Sequence, residues 1–408
     1  MKNINFIANK YIVVLLFNFL IVFSSIRFFL KFTNIYIFIV YGILLNIFVF
    51  LIYERYKRSI VKLFNWKVFI VFIAICSFFL YPIIDARKSE KGKGSTGDEA
   101  LILSANTLKS SCKLYDATID STTPISPGPG WVILNSPFVL LNVYFLFTPF
   151  YIFVLCLVLN KVFNNRMSNF FLLFLSMSML FWELILNGHD IFPLSAMLFL
   201  CSILVFQYLT KKVRIDVLLL ISVLIGIVST SRVVFVFYPL LLSVFLWKLN
   251  RKNALVMFLT SMSVFLFLNL FFYSINTYYQ PIHLFDKAVR NINYGMIVAG
   301  SVGFAAGLFF QYRNLKNNIV SWNKNLFISF LVVFLPIASG DLIKSKFNFL
   351  TWEGANYLMP VIPFLLLYVY FKINDSSECV MYLKEGAITS GKDTNGNDLV
   401  FISGRIQN

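Results

Sequence analysis

The sequence predicts an all-α, polytopic membrane protein of about twelve transmembrane helices, and three observations predict it. Of 408 residues, 59% are hydrophobic and 13% charged, against roughly 45–50% and about 25% in a soluble domain. Mean hydropathy is +0.79, with 48 Phe and 20 Tyr; one aqueous core could not bury this, because cores stop growing near roughly 250–300 residues. Apolar runs of spanning or near-spanning length also recur along most of the chain. A water-soluble enzyme is excluded.

The runs fall at 11–30, 35–53, 68–84, 132–159, 170–186, 191–209, 217–231, 233–247, 254–273, 294–312, 326–338 and 355–371. The first follows basic residues like a secretory signal. Phe23-Ser24-Ser25 is a poor cleavage site, however, so it reads as a retained helix. The runs at 217–231 and 233–247 are short, and Ser229-Thr230-Ser231-Arg232 joins them; a re-entrant hairpin there is tolerated only where its backbone is buried or lines a cavity. Gly303 and Gly307 form a small-x-x-x-small pair suited to close helix packing.

Lys and Arg outnumber Asp and Glu by 35 to 18. Loop orientation explains this better than nucleic acid does, because cytoplasmic loops carry the basic excess. Eighteen basic residues fall on one side of the predicted membrane. The opposite short connections hold seven: Arg27, Lys31, Arg232, Lys287, Arg290, Lys344 and Lys346. Both termini are therefore expected in the cytoplasm of what reads as a bacterial inner-membrane protein. Residues 1–373 form the membrane domain and 374–408 a polar tail, with a small hairpin expected at Asn395-Gly396. Cys76, Cys156 and Cys201 lie in apolar runs and Cys112 and Cys379 in polar segments, with no Cys-x-x-Cys spacing; neither a disulfide framework nor a metal knuckle is indicated.

The segment 85–130 is the one long outer loop, beyond the roughly 12–15 residues of a plain connection. It carries Asp85, Glu90, Asp98, Glu99, Asp116 and Asp120. Asp98–Ser110 reads as a short amphipathic interfacial helix, and Pro124, Pro127, Gly128, Pro129 and Gly130 force a rigid turn. Thr96 to Glu99 fits a capping box, so the two acids can initiate the helix. An acid there is equally placed to act as a general base over a membrane-embedded cleft.

Farther on, Glu183 lies inside a span, where an ionisable group is costly and functional by default. Glu183, Asn187 and Asp190, at i, i+4 and i+7, share a helical face, with Gly188 and His189 at its outer end. His189 can equally be an interfacial histidine bonded to backbone. Glu183, His189 and His283 have no tight ligand pair for zinc. Arg232, at the outer end of a span with no acid beside it in sequence, calls for an anion, and its planar fork suits phosphate. Lys344, Lys346 and Arg290 are predicted on the same side; for the lysines, snorkelling to the headgroups is the alternative.

Taken together, Tyr81-Pro82-Ile83-Ile84-Asp85, Gly94 to Leu101, Lys113-Leu114-Tyr115-Asp116 and Ile125 to Trp131 resemble the first outer loop of C-type (GT-C superfamily) membrane glycosyltransferases that use polyprenyl-phosphate sugars. Gly188-His189 looks like the family's Gly-Gln pair, with His for Gln. Trp352 to Pro360 is similar to its late Arg-Tyr-x-x-Pro element, with Asn356 where arginine is common. Three spans precede the loop here, where many relatives have one.

The resemblance implies a many-helix enzyme transferring a sugar, with inversion, from a polyprenyl-phosphate donor to a hydroxyl of a glycan, lipid or protein acceptor outside the cytoplasm. Asp98 would be the base, with Asp85 and Glu99 behind it. Arg232, Lys344, Lys346 and Arg290 would face the donor phosphate, and Glu183, Asn187, His189, Asp190 and Tyr115 the substrate. Whether a divalent cation assists is open. The competing classes are a transporter or lipid flippase and a glycan polymerase or ligase. The acidic outer loop and the absence of a two-fold hydropathy repeat favour the transferase.

Overall fold

A computed structural model of the chain describes residues 14–86, 97–111, 113–115, 125–276, 278–280 and 294–373, with 391–392 and 398–399. In chain order its helices are α1 (Val14–Phe32), α2 (Ile35–Leu51), α3 (Glu54–Leu63), α4 (Trp66–Asp85), α5 (Gly97–Ser111), α6 (Pro129–Leu140), α7 (Tyr144–Val162), α8 (Asn165–Ser176) and α9 (Met179–Leu186). Then come α10 (Ile191–Leu209), α11 (Ile215–Ser229), α12 (Val233–Leu249), α13 (Arg251–Ile275), α14 (Tyr294–Asn314), α15 (Ile319–Lys344) and α16 (Glu353–Phe371). An antiparallel pair of two-residue strands, Gly391–Lys392 and Asp398–Leu399, flanks Asn395-Gly396.

Side chains start several of these helices in a repeated way. Asn65, Asn164, Asn250 and Asn318 each accept a backbone N–H of the first turn, from Lys67, Met167, Asn253 and Ser321, satisfying a donor that would otherwise be left open. Burial then sorts the helices. The apolar windows of α10 and α16 are 83% and 89% buried, those of α4 and α13 only 17% and 22%. The first two are therefore the axis of the bundle, while α4 and α13 turn Leu, Ile and Phe side chains outward, as helices with lipid for solvent can.

Seven helices, α1, α4, α7, α10, α13, α15 and α16, are long and apolar enough to cross a membrane, or eight with α8 and α9 as one broken span. The chain is helical, with several helices able to cross a membrane, but among the described residues those of spanning length do not number twelve. The expected span at 132–159 is two helices, α6 and α7, divided by a turn in which Asn142 has φ 57°. The expected span at 170–186 bends by 83° between α8 and α9, where Ser178 caps the new helix by accepting from the Phe181 N–H. The runs at 35–53, 217–231 and 233–247 become α2, α11 and α12, each shorter than 18 residues. The packing role expected of Gly303 and Gly307 is not met: a Cβ at Gly303 would touch nothing within 4 Å, and one at Gly307 only Gln311 of its own helix.

Candidate functional site

The site begins where α4 ends and α5 starts. Asp98, in the first turn of α5, is fully buried. The Tyr81 hydroxyl, from the last turn of α4, donates to its Oδ2 at 2.9 Å. Asp85 ends α4 and Glu99 follows Asp98, both half-buried. All three acids lie within electrostatic reach of the Tyr81 hydroxyl, so the structure brings the three candidate bases together. Thr96 of the capping box lies outside the described residues.

Opposite Asp98, the chain leaves α9 through a left-handed glycine. Gly188 has φ +62°, and a Cβ there would stand 2.6 Å from Tyr81 Cε2, 3.0 Å from Tyr144 Cε1 and 3.3 Å from Asp98 Cβ. Only glycine fits both that backbone and that space. Tyr144 donates to the Gly188 carbonyl at 2.9 Å, locking the turn that presents His189 and Asp190. The His189 ring then packs over Gly97. Its Nδ1 lies 3.2 Å from the Ile191 N–H and 3.3 Å from Asp190 Oδ1; a neutral ring accepts from the backbone there, and a protonated one donates to the carboxylate.

Asp190 is the hub of the second half. Arg232 Nη2 lies 2.9 Å from its Oδ1 and Trp131 Nε1 3.0 Å from its Oδ2. Burial by itself would raise this carboxyl, but Arg232 and His189 outweigh it and hold Asp190 well below the ordinary carboxylate range. Asp190 is therefore a poor base and a good anchor. Arg232, expected to face the donor phosphate, is instead buried and paired with Asp190, an acid 42 residues away in sequence that only the fold brings near; the pair is a structural one. The guanidinium also donates through Nη1 to the Ser231 carbonyl at 2.8 Å.

The Arg232 turn is held by the Pro-Gly-rich stretch. The Gly128 N–H donates to the Ser231 carbonyl at 3.1 Å, and the Trp131 N–H donates to Thr230 Oγ1 at 3.1 Å. A Cβ on Gly128 would overlap the Thr230 carbonyl oxygen, so glycine lets two backbones touch. Tyr115 is fully buried and stacks on Tyr279 at 4.1 Å. Its hydroxyl donates to the Pro127 carbonyl and its N–H to Asn276 Oδ1. Tyr115 fastens this loop to α13, which is a different task from the substrate contact expected of it.

Glu183 does not join Asp190, although the spacing put them on one face. Helix α9 stops at Leu186, and Gly188 redirects the chain. Glu183 instead receives Arg27 Nη2 at 2.9 Å and Lys31 Nζ at 3.0 Å, both from α1. Arg27 also donates to Asn356 Oδ1 at 2.7 Å and to the Trp352 carbonyl at 3.0 Å. Asn187 is buried between the two clusters in sequence, with no side-chain hydrogen bond among the described residues. Lys344 and Lys346 are exposed at the end of α15, while Arg290 and His283 lie outside the described residues.

One turn of α16 touches both clusters: Asn356 meets Arg27, and the ring of its neighbour Tyr357 is within electrostatic range of Arg232 and Asp190. Tyr144 likewise lies in range of Asp98, Asp190 and Arg232. The arrangement is a carboxylate set, a neutral Asp–Arg pair and a cation-rich triad, gathered where several helices end. Sequence reasoning assigned no site role to Tyr81, Tyr144, Trp131 or Arg27. Arg27 was detectable, because it interrupts an apolar run just as Glu183 does. No family model matches the chain, and neither a curated protein nor a solved structure does.

Proposed function

We propose that the protein is an inverting glycosyltransferase that moves a sugar from a polyprenyl-phosphate donor to an acceptor hydroxyl at the extracytoplasmic face of the membrane. The observation that carries this reading is the placement of Asp98. It is a buried carboxylate at a helix start, oriented by Tyr81 and facing the His189-Asp190-Arg232 turn. Asp98 removes the acceptor proton as the hydroxyl oxygen attacks the anomeric carbon. The bond from that carbon to the phosphate oxygen breaks, and the phosphate departs with the electron pair. A base that takes up the acceptor proton and a cation that meets the departing phosphate would stabilise the two charges that develop in the transition state.

A lipid donor accounts for an enzyme carried almost wholly in the bilayer, since the donor's tail stays in lipid while its head reaches the helix ends. The basic asymmetry of the loops puts those ends outside, with the shorter apolar helices α2, α11 and α12 adding to the crossings. The test is to incubate the purified protein and acceptor-bearing membranes with a panel of radiolabelled polyprenyl-phosphate hexoses and pentoses. Label moving from one donor, and not with Asp98→Asn, supports the reading; no movement from any donor sinks it.

A further inference from the structure

The charges beside the site do not balance. Arg27 and Lys31, one turn apart on α1, share the single carboxylate of Glu183, with side chains 4%, 7% and 0% exposed. Two cations against one anion leave one buried positive charge in excess. Arg27 donates to three acceptors, Glu183, Asn356 and the Trp352 carbonyl. Lys31 does not. An ammonium has three hydrogens to donate; Lys31 Nζ stands 3.0 Å from Glu183 Oε1 as an ion pair, and no other acceptor among the described residues meets it. The nearest acid in sequence to Trp352 is Glu353, which is exposed and joins no ion pair among the described residues. Asp190 is occupied by Arg232. An uncompensated buried charge is costly, and a bound anion relieves it.

The surroundings say what kind of anion. Lys31 stands at the end of α1, followed by Phe32, Ile35 and Tyr36, all exposed and apolar. The segment Phe349–Thr351 packs against the same turns of α1, and Phe347 and Leu350 beside it are exposed. A buried cation with an apolar margin suits a charged head on a hydrocarbon tail, and an excess of one positive charge matches a phosphodiester, which carries one negative charge. We infer that Lys31, backed by Arg27 and Glu183, is a subsite for a lipid-borne phosphodiester. If the proposed transfer holds, this is the donor's phosphate, held beside the Asp190–Arg232 pair; the binding itself does not require the transfer.

The test measures binding to the full-length protein in neutral detergent, with dodecyl methyl phosphate, inorganic phosphate and dodecanol as probes. The alkyl phosphodiester should bind, Lys31→Met should weaken it about tenfold or more, as loss of a charge-assisted bond does, and Lys31→Arg should stay within a few-fold. Glu183→Gln, with a larger charge excess, should gain affinity and be stabilised by the probe more than wild type; this variant also decides the matter should Lys31→Met fail to fold. Equal affinity in wild type and Lys31→Met, no gain in Glu183→Gln, or equal binding of dodecanol would overturn the subsite. Inorganic phosphate binding as tightly, with the same dependence on Lys31, would overturn its assignment to a lipid. Because binding is read without turnover, a missing transferase activity leaves this result standing, and the reverse also holds.

Discussion

Asp98 and Asp190 are both fully buried carboxylates, yet their neighbours give them different work. Asp190 receives a guanidinium and an indole N–H, which keep it ionised and unreactive. Asp98 is held by the Tyr81 hydroxyl beside Gly188 and His189. Asp98→Asn keeps size and removes the base, so transfer should fall by ~10²- to 10⁴-fold with an unchanged melting temperature; near-wild-type turnover, with Asp85→Asn inactive, would move the role to Asp85. Arg232→Ala leaves Asp190 buried without its charge partner and should cost about 3–5 kcal/mol, read as a large drop in melting temperature. Because the Asp190 carboxyl is depressed in the fold, its contribution is complete above the ordinary value of 3.8 and is lost as pH falls below it. The gap in melting temperature between wild type and Asp190→Asn should therefore be flat from about pH 7 to 5 and close below about 4.

At the scale of elements, the site depends on two turns that glycine makes possible. Gly188→Ala must hold an alanine in the left-handed region, at about 1–2 kcal/mol, and must also displace Tyr81 or Tyr144. We expect a lower melting temperature and a drop in transfer, because the same turn aims His189 and Asp190. Gly128→Ala should separate the Pro-Gly stretch from the Thr230-Ser231 backbone; faster proteolysis between α5 and α6 in the variant would report it, and an unchanged cleavage rate would contradict it. The sequence marked both places as breaks in helical pattern. It could not show that the break after α9 lies against α5, or that the one before α6 lies against the turn after α11, because those contacts join segments about 90 and about 100 residues apart.

For the whole molecule, the expected orientation, with segment 85–130 outside, rests on the positive-inside pattern alone and is open to direct test. An impermeant thiol reagent should label Cys112 in intact cells and Cys379 only after permeabilisation. The apolar cysteines should stay silent, since Cys156 and Cys201 are buried and Cys76 lies within α4. The opposite pattern would invert the topology and move the proposed site to the cytoplasmic face. The span count shows where hydropathy stops being informative. Lys, Glu and turn residues break apolar runs visibly, whereas the bend at Met177-Ser178 and the turn at Leu141-Asn142 lie inside runs that remain apolar on both sides.

Composition and the length of the apolar runs together determined that this chain is helical, with helices long and apolar enough to cross a membrane, because hydrocarbon tolerates backbone only when every N–H and C=O is paired, which helices do locally. Local sequence also determined where acids and cations interrupt that pattern: Asp98 in the loop, Glu183 in a span, Arg232 at a turn. Only the tertiary structure decided how they pair. Spacing along one helix linked Glu183 to Asp190; the fold gave Glu183 to Arg27 and Lys31, and Asp190 to Arg232. The physical reason is that a buried charge must find its partner wherever packing brings one within about 3–4 Å, and helices far apart in sequence meet through the shapes of their apolar faces, which carry no record of the charges they bring together.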